Sequence, residues 1–232
     1  LPDLGNATII TLIIVIMLSV SGIAYRWFST AMLAIVAGAT VLLGSIWIIG
    51  VDVVAKIPVF GYIAKRFSAF FNPFEDATNA GLQLANSYYA MSNGGWLGLG
   101  LGNSIEKKGY LPEAHTDFAF SIVIEELGLV GASLILAILF FLILRIIVVG
   151  IRARDPFNSM MALGIAGMLL VQTFVNIGGI SGLIPATGVT FPFLSQGGNS
   201  LLIISIGVAL VLHIDAHERR ELLEKEIEQT LS

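Results

Sequence analysis

The sequence predicts an all-α, polytopic membrane helix bundle, and three observations carry that prediction. First, 56% of the 232 residues are hydrophobic and only 12% are charged, about half the charged share of an ordinary soluble domain. Second, five runs stay apolar for about 20 residues, the length that a helix needs to cross a hydrocarbon core of roughly 30 Å. Third, the basic residues are unevenly distributed between the turns. The five predicted transmembrane helices are residues 9–27, 31–49, 129–150, 160–180 and 200–214.

The basic residues predict the orientation of these spans. Under the positive-inside rule, short loops rich in Lys and Arg face the cytoplasm, whereas long loops escape the rule. The long segment 51–117 and the uncharged segment 181–200 then both face outward, the N-terminus lies outside, and the C-terminus is cytoplasmic. The residues that set this orientation are Arg26, Arg145, Arg152, Arg154, Arg219, Arg220 and Lys225, and those of the long segment are Lys56, Lys65, Arg66, Lys107 and Lys108.

Two regions follow from this topology: a membrane domain, residues 1–216, and a cytoplasmic helical tail, residues 217–232. We interpret the charged tail as a solvated continuation of the last span, with a docking site as the alternative. Residue 1 is Leu and not Met, which is typical of a chain cut or processed from something longer. The sequence has no cysteine, so it offers neither a disulfide framework nor a Cys-based metal site.

The long outer segment is predicted to contain short interfacial helices, because structureless loops of this length are uncommon unless functional. Phenylalanines recur there at helical spacing beside two basic residues, as in a helix that lies in the membrane interface. A helix packed on the bundle is a compatible alternative. Asn72-Pro73 would end this helix. The phenylalanines are Phe67, Phe70, Phe71 and Phe74, and the basic residues are Lys65 and Arg66.

Glycines dominate the stretch "GGWLGLGLGNS", residues 94–104. Its spacing fits neither a dinucleotide fingerprint nor a P-loop, so we expect close backbone approach and tight turns, and no nucleic-acid partner.

A short apolar piece, residues 118–124, is separated from the next span by Glu125, Glu126 and Gly128. These two carboxylates are predicted to lie at a helix break, where one is either structural or part of a polar cavity. Gln172, Thr173 and Asn176 share a helix face and favour interhelical hydrogen bonds.

Polar residues concentrate in "GYLPEAHTDF", residues 109–118. Asp117 precedes a predicted helix start, where the helix dipole favours a negative charge, and an ionised Asp is the form that a general base requires. A simple N-cap role for Asp117 is the alternative. Glu113 and Asp117 together resemble the paired carboxylates of glycosyl chemistry, whereas His115 is more typical of a structural group. With the irregular stretch "FPFLSQGGNS", residues 191–200, this segment predicts a cavity open to the outside.

Several motifs resemble one family. "GLGLGNSIEKKGYLPEAHTDFAFSIVIEELGLVG", "PATGVTFPFLSQGGNSLLIIS", "PDLGNA" and "RFSAFFNPFED" are similar to the SEDS family, the FtsW, RodA and SpoVE proteins of bacterial cell-wall synthesis. The pattern is closer to the division type, FtsW, than to the elongation type. The chain departs from the family pattern at three positions. The family usually has Tyr in place of Gln196 and Ser in place of Asn199, and some members have Lys in place of Thr187. The family has about ten spans, so the chain resembles its C-terminal half.

The resemblance implies a peptidoglycan glycosyltransferase that polymerises lipid II at the outer face of the cytoplasmic membrane, with a flippase or a division scaffold as alternatives. It implies Asp117 as the catalytic residue, and lipid II, undecaprenyl-diphosphate-linked glycan, a class B penicillin-binding protein and other division proteins as partners, beside membrane lipid. The septum is the expected location. A divalent cation, Mg or Mn, is compatible with this chemistry, although no dedicated ligand cluster is present. The candidate substrate-binding residues are Glu113, His115, Lys107, Lys108, Arg66, Asn103, Ser195, Gly197, Gly198, Asn199 and Ser200.

Overall fold

The computed structural model describes residues 4–49, 66–67, 69–74 and 79–231, and within these ranges the regular structure is helical, without strands. This confirms the all-α class. The long helices of the described ranges are α1 (Leu4–Val20), α2 (Tyr25–Ile49), α3 (Asn79–Gly94), α4 (Ala119–Arg152), α5 (Pro156–Ile180) and α6 (Gly198–Leu231), and a 3-10 turn covers Glu106–Lys108.

Three of these helices, α4, α5 and α6, are long and apolar enough to cross a membrane. An apolar helix of lesser length covers Gly5–Val20. Helix α2 has 25 residues, but several of its side chains lie outside the described part of the chain. The helices therefore form a polytopic membrane bundle, and three of the five predicted spans meet the length and composition that a crossing requires.

One end of the bundle is defined by the turn between α4 and α5. Asp155 caps α5, because its carboxylate accepts a hydrogen bond of 3.1 Å from the Asn158 amide, and a proline follows at the first helical position. The Arg154 amide donates to Glu218 Oε1 at 3.0 Å, which ties α6 to this turn. We call it the arginine end, since Arg152 also lies there.

The opposite end, which we call the loop end, carries residues 95–118 and 181–197. Helix α1 starts there, since a Cβ atom added to Gly5 would lie 2.5 Å from Thr187 O. The two segments predicted to face outward thus share one end, and the basic turn occupies the other. Helix α6 runs without a break from the loop end through the arginine end and onward to Leu231.

Helix α4 is kinked at Gly128, whose φ of 70° and ψ of 179° are not helical. Only glycine adopts this region readily. A Cβ atom there would lie 2.4 Å from Trp96 O, so the kink also depends on close backbone approach by the glycine-rich loop. The predicted helix break and the predicted role of the glycines are both present. Beyond the kink, residues 129–152 form the spanning part of α4.

The predicted interfacial helix is described in part. Residues 66–67 and 69–71 are helical, and the helix ends before Pro73 as expected. Phe71 and Phe74 are largely exposed, and the Phe74 ring lies 6.1 Å from that of Tyr88. This segment therefore touches α3 while leaving aromatic surface free. Lys56 and Lys65, residues of the same predicted segment, lie outside the described residues.

Candidate active site

Hydrogen bonds join the two loops of the loop end through consecutive carbonyl oxygens of residues 115–117. The first accepts from the Gln196 amide at 2.7 Å. The second accepts from Ser195 Oγ at 2.6 Å, and the third from Asn176 Nδ2 at 2.7 Å. The "HTD" stretch is therefore held along its backbone by the uncharged loop and by α5.

Asn176 acts as a clamp between distant parts of the chain. Its Nδ2 donates both to Asp117 O and to Val189 O, at 2.7 and 2.6 Å, and the residue is only 4% exposed. The first distance is at the short end of the ordinary range for amide donors, and the second is slightly shorter. The sequence predicted bonds between helices for this face of α5, but Asn176 instead bonds two loops.

Asp117 and Arg66 meet over Gly188. A Cβ atom added to Gly188 would lie 3.1 Å from Asp117 Oδ2 and 3.2 Å from Arg66 Nη2. The φ of Gly188 is +78°, so both space and backbone conformation favour glycine here. Arg66 Nη1 also donates to Ala186 O. The carboxylate and the guanidinium therefore approach the same point of the loop. Their opposite charges favour this proximity.

Asp117 does not occupy the N-cap position of α4. The helix begins at Ala119, and its N-cap is Phe118, whose side chain makes no cap hydrogen bond. The Thr116 hydroxyl turns the other way and donates to Glu113 Oε2 at 2.7 Å. Glu113 itself is exposed and has a positive φ of 58°, while His115 is exposed. Of the carboxylates in this loop, Asp117 is thus the one beside Arg66.

Glu125 is a structural carboxylate. It is fully buried and accepts hydrogen bonds from the amides of Ile105 and Glu106, at 3.2 and 3.4 Å, and from Asn93 Nδ2 at 3.3 Å. The Ser104 hydroxyl donates to its other oxygen. Glu125 therefore organises the start of the 3-10 turn. Burial, and then the neighbouring charge of Glu125, raise the pKa of Glu106.

Three further candidate substrate-binding residues lie in or beside the 3-10 turn. Lys107 Nζ lies 3.5 Å from Glu126 Oε1, Lys108 is exposed, and Asn103 Nδ2 donates to Leu99 O at 3.1 Å. Glu126, the partner of Lys107, lies about 10 Å of helix rise beyond Ala119.

A cavity of about 330 Å³ lies between α1, α5, α6 and the uncharged loop. Gly188 lines this cavity, and the same glycine is the loop position beside Asp117 and Arg66. Ser200 also lines it, and its Oγ lies 3.3 Å from Thr190 Oγ1. Gln172 contributes a buried Oε1 without a hydrogen-bond partner. Among the described residues, the uncharged loop thus forms one wall of this cavity, and α1, α5 and α6 form the others.

The remaining candidates follow Ser195 in the uncharged loop. Ser195 is buried and also accepts from the Phe191 amide at 2.7 Å. Gly198 and Asn199 are exposed at the start of α6, and Gly197 is half-buried. Ser195 therefore supports the backbone at Thr116, and the role of Gly197, Gly198 and Asn199 in binding substrate stays a prediction.

Sequence reasoning did not single out Gly188 or assign Asn176 to the site. The signal for Gly188 is one glycine in "PATGVT", which cannot be told from any other turn glycine without its neighbours. Asn176 was noticed as a polar residue within a span, and such residues commonly mark polar cavities. Its loop partners lie 59 and 13 residues away along the chain, a relation that only the folded chain reveals.

The fold and the site define a multi-pass membrane protein with an acidic residue and an arginine at the loop end of a helical bundle. The chain belongs to the FtsW/RodA/SpoVE family of cell cycle proteins, whose sequence model matches residues 1–220. The family resemblance drawn from the motifs is therefore confirmed.

Individual relatives agree with this membership. A Lactococcus lactis protein named "Probable peptidoglycan glycosyltransferase FtsW" is 56% identical over 220 residues, covering 95% of this chain and 52% of the relative. Stage V sporulation protein E of Bacillus subtilis is 39% identical over 219 residues, covering 94% and 56%. The chain spans about half the length of the curated relatives it matches.

A solved structure shares the fold. A chain described under "Structural coordination of polymerization and crosslinking by a peptidoglycan synthase complex" superposes with a TM-score of 0.68 at 25% identity, covering 94% of this chain and 56% of that one.

Proposed function

We propose that this chain contributes the catalytic half of a peptidoglycan glycosyltransferase that polymerises lipid II at the outer face of the cytoplasmic membrane. The observation that carries the proposal is the approach of the Asp117 carboxylate and the Arg66 guanidinium to one point of the loop end. Family membership and relatives named as glycosyltransferases support the reaction class.

Asp117 serves as the general base. It takes the proton from the 4-hydroxyl of one lipid II sugar, and the oxygen attacks the anomeric carbon of the lipid-linked strand. A new glycosidic C–O bond forms while the bond between the anomeric carbon and the diphosphate breaks, and undecaprenyl diphosphate leaves with its electron pair. General-base catalysis typically contributes a factor of about 10² to 10⁴ in rate.

Arg66 balances charge in this step. A guanidinium suits phosphate oxygens because its donors form a rigid planar fork, and it lies at the same point as the base. Mg²⁺ is usually held by one or two carboxylates together with substrate phosphates, so Asp117 would be the residue to hold a divalent cation, which would supply further positive charge toward the diphosphate. Orientation of two lipid-linked substrates supplies the rest of the rate enhancement.

The clamp around the "HTD" backbone explains how a loop residue acts as a base. Catalytic groups must be held close to the productive geometry by their supporting shell. Asn176 and Ser195 supply that support by donating to the backbone carbonyls of residues 116–117, so these hydrogen bonds do not involve the Asp117 carboxylate.

Partners and location follow from the same proposal. The structural neighbour's description concerns a complex for polymerisation and crosslinking, which supports a transpeptidase partner of the class B penicillin-binding protein type. We further propose action at the division septum with other division proteins, and a cytoplasmic arginine end and tail, because the basic turns gather there.

The test uses the complete native gene product with its transpeptidase partner in lipid nanodiscs and labelled lipid II. Asp117→Asn should lower polymer yield by about 10² to 10⁴-fold, the range for loss of a general base. Asp155→Asn is the matched control, because it makes the same chemical change at the arginine end while Asn preserves the helix cap.

A flippase is the alternative that this experiment separates. If Asp117→Asn left polymer yield intact but abolished movement of lipid II across the bilayer, the glycosyltransferase proposal would be wrong. Deleting residues 222–232 tests the scaffold alternative, which requires loss of septal localisation.

A further inference from the structure

The glycine-rich loop at the loop end exposes large apolar side chains. Within residues 95–102, which we call the Trp96 loop, Trp96 is 75% exposed, Leu97 82% and Leu101 77%. Single exposed apolar residues need no explanation, but a contiguous patch marks an interaction site. We propose that the Trp96 loop inserts into the lipid headgroup and acyl boundary at the loop end and anchors this end of the bundle to the bilayer. This inference does not depend on the proposed reaction.

Backbone hydrogen bonds set the depth of this loop. The Leu129 and Val130 amides donate to Gly95 O at 2.9 Å and to Trp96 O at 3.2 Å. Residues 129–152 rise by about 36 Å, slightly more than the roughly 30 Å of hydrocarbon. Leu129 therefore lies close to one membrane boundary when Arg152 lies at the other. Since the Trp96 loop is bonded to the first residues of this span, it lies at the same depth.

The loop also continues an apolar surface. Val130, Leu134, Ile138 and Phe141 are 56%, 63%, 63% and 66% exposed, and their spacing places them on one face of α4. Such an exposed stripe on a spanning helix is typical of contact with lipid chains. The Trp96 loop stands at the top of this stripe, so lipid that covers the stripe also meets the loop.

Composition around the loop fits the membrane interface. Trp is enriched at the boundary between hydrocarbon and headgroups, and Lys side chains there reach lipid phosphates while their stems stay in apolar surroundings. Lys107 and Lys108 follow in the 3-10 turn, and Lys107 is linked to Glu126 at 3.5 Å. Both lysines are exposed. Apolar and basic groups together are the combination that binds a lipid surface.

The loop presents these side chains rigidly. A Cβ atom on Gly98 would lie 2.2 Å from Glu126 O, and the Leu99 and Gly100 amides donate to Glu125 O and Glu126 O, both at 2.9 Å. Because the backbone is bonded on both sides of the kink, exposure of the apolar side chains does not result from fraying. A rigid loop also loses little conformational freedom on insertion.

Spin labels test this proposal. Leu97→Cys and Leu101→Cys are labelled one at a time in the complete native gene product, in nanodiscs of phosphatidylcholine and phosphatidylglycerol. This chain has no native cysteine, and any cysteine elsewhere is replaced by serine. Collision with oxygen, which concentrates in lipid, is compared with collision with a water-soluble nickel chelate. Lys108→Cys is the matched reference at an exposed polar position of the same region.

The expected result is an oxygen-to-nickel accessibility ratio several-fold higher at positions 97 and 101 than at position 108. High collision with the nickel chelate and low collision with oxygen at positions 97 and 101 would mean that the loop lies in water and would overturn the proposal. Low collision with both reagents at 97 and 101 would mean that protein covers the loop, either the rest of the gene product or a partner, and would overturn it equally. Because the two labels are introduced separately at exposed positions, misfolding of one variant leaves the other informative.

Discussion

Replacing the Asn176 clamp gives the sharpest test of how the site is held together. Asn176→Leu keeps the volume of the side chain but removes the donor that serves Asp117 O and Val189 O. A buried polar group left without its partner costs about 1–3 kcal/mol, so two carbonyls lose about 2–6 kcal/mol if neither finds another donor. Even the lower figure reduces the ratio of docked to open loops by about 30-fold.

Hydrogen exchange of the complete protein in nanodiscs measures this loss. We expect two amides to exchange at least about 30-fold faster in Asn176→Leu, because exchange follows local opening. They are the Gln196 amide, which bonds His115 O across the two loops, and the Phe191 amide, which bonds Ser195 Oγ within the uncharged loop. Thr173→Val is the matched control. Thr173 is also buried on α5, but its hydroxyl bonds only Leu169 O of its own helix.

Three results would refute this reasoning. Unchanged exchange in Asn176→Leu would show that the loops are held by other contacts, and equal acceleration in Thr173→Val would show a general loosening of α5. Loss of polymerisation in Asn176→Leu without faster exchange would also contradict it, since the clamp acts through loop position.

Two further predictions concern the second cluster and the kink. The pKa of Glu106 is raised above its ordinary value of 4.5 by burial and by the charge of Glu125. The folded protein therefore binds the Glu106 proton more tightly than the unfolded protein does. Its stability falls as the pH rises from 4.5 through the raised pKa. Glu106→Gln should therefore raise the melting temperature at neutral pH and leave it unchanged well below pH 4.5, and a constant difference across pH would contradict the assignment. Gly128→Ala should lower stability by about 2–6 kcal/mol, because it combines backbone strain of about 1–3 kcal/mol with overpacking of about 1–3 kcal/mol. Gly102→Ala, with a similar φ of +81° and open space around it, should cost only the backbone part, and similar losses in thermal unfolding would argue against close packing at the kink.

The candidate site shows how far motifs alone reach. The motif and the helix start singled out Asp117, and the structure lets it approach Arg66, a residue that was also among the candidates. The motif grouped Lys107 and Lys108 with Asp117 because they are near in sequence, whereas the structure links Lys107 to Glu126 at 3.5 Å and leaves Lys108 exposed.

The sequence by itself determined the features that depend on local physics. Long apolar runs define spans because hydrocarbon tolerates only a backbone that satisfies its own hydrogen bonds, and Gly128 beside two glutamates marked the break in α4. Only the tertiary structure decided that Glu125 organises a 3-10 turn, that Asn176 joins two loops, and that Gly188 leaves room for a carboxylate and a guanidinium. These relations join residues up to 122 positions apart, and they depend on how the spans pack, which no local pattern encodes.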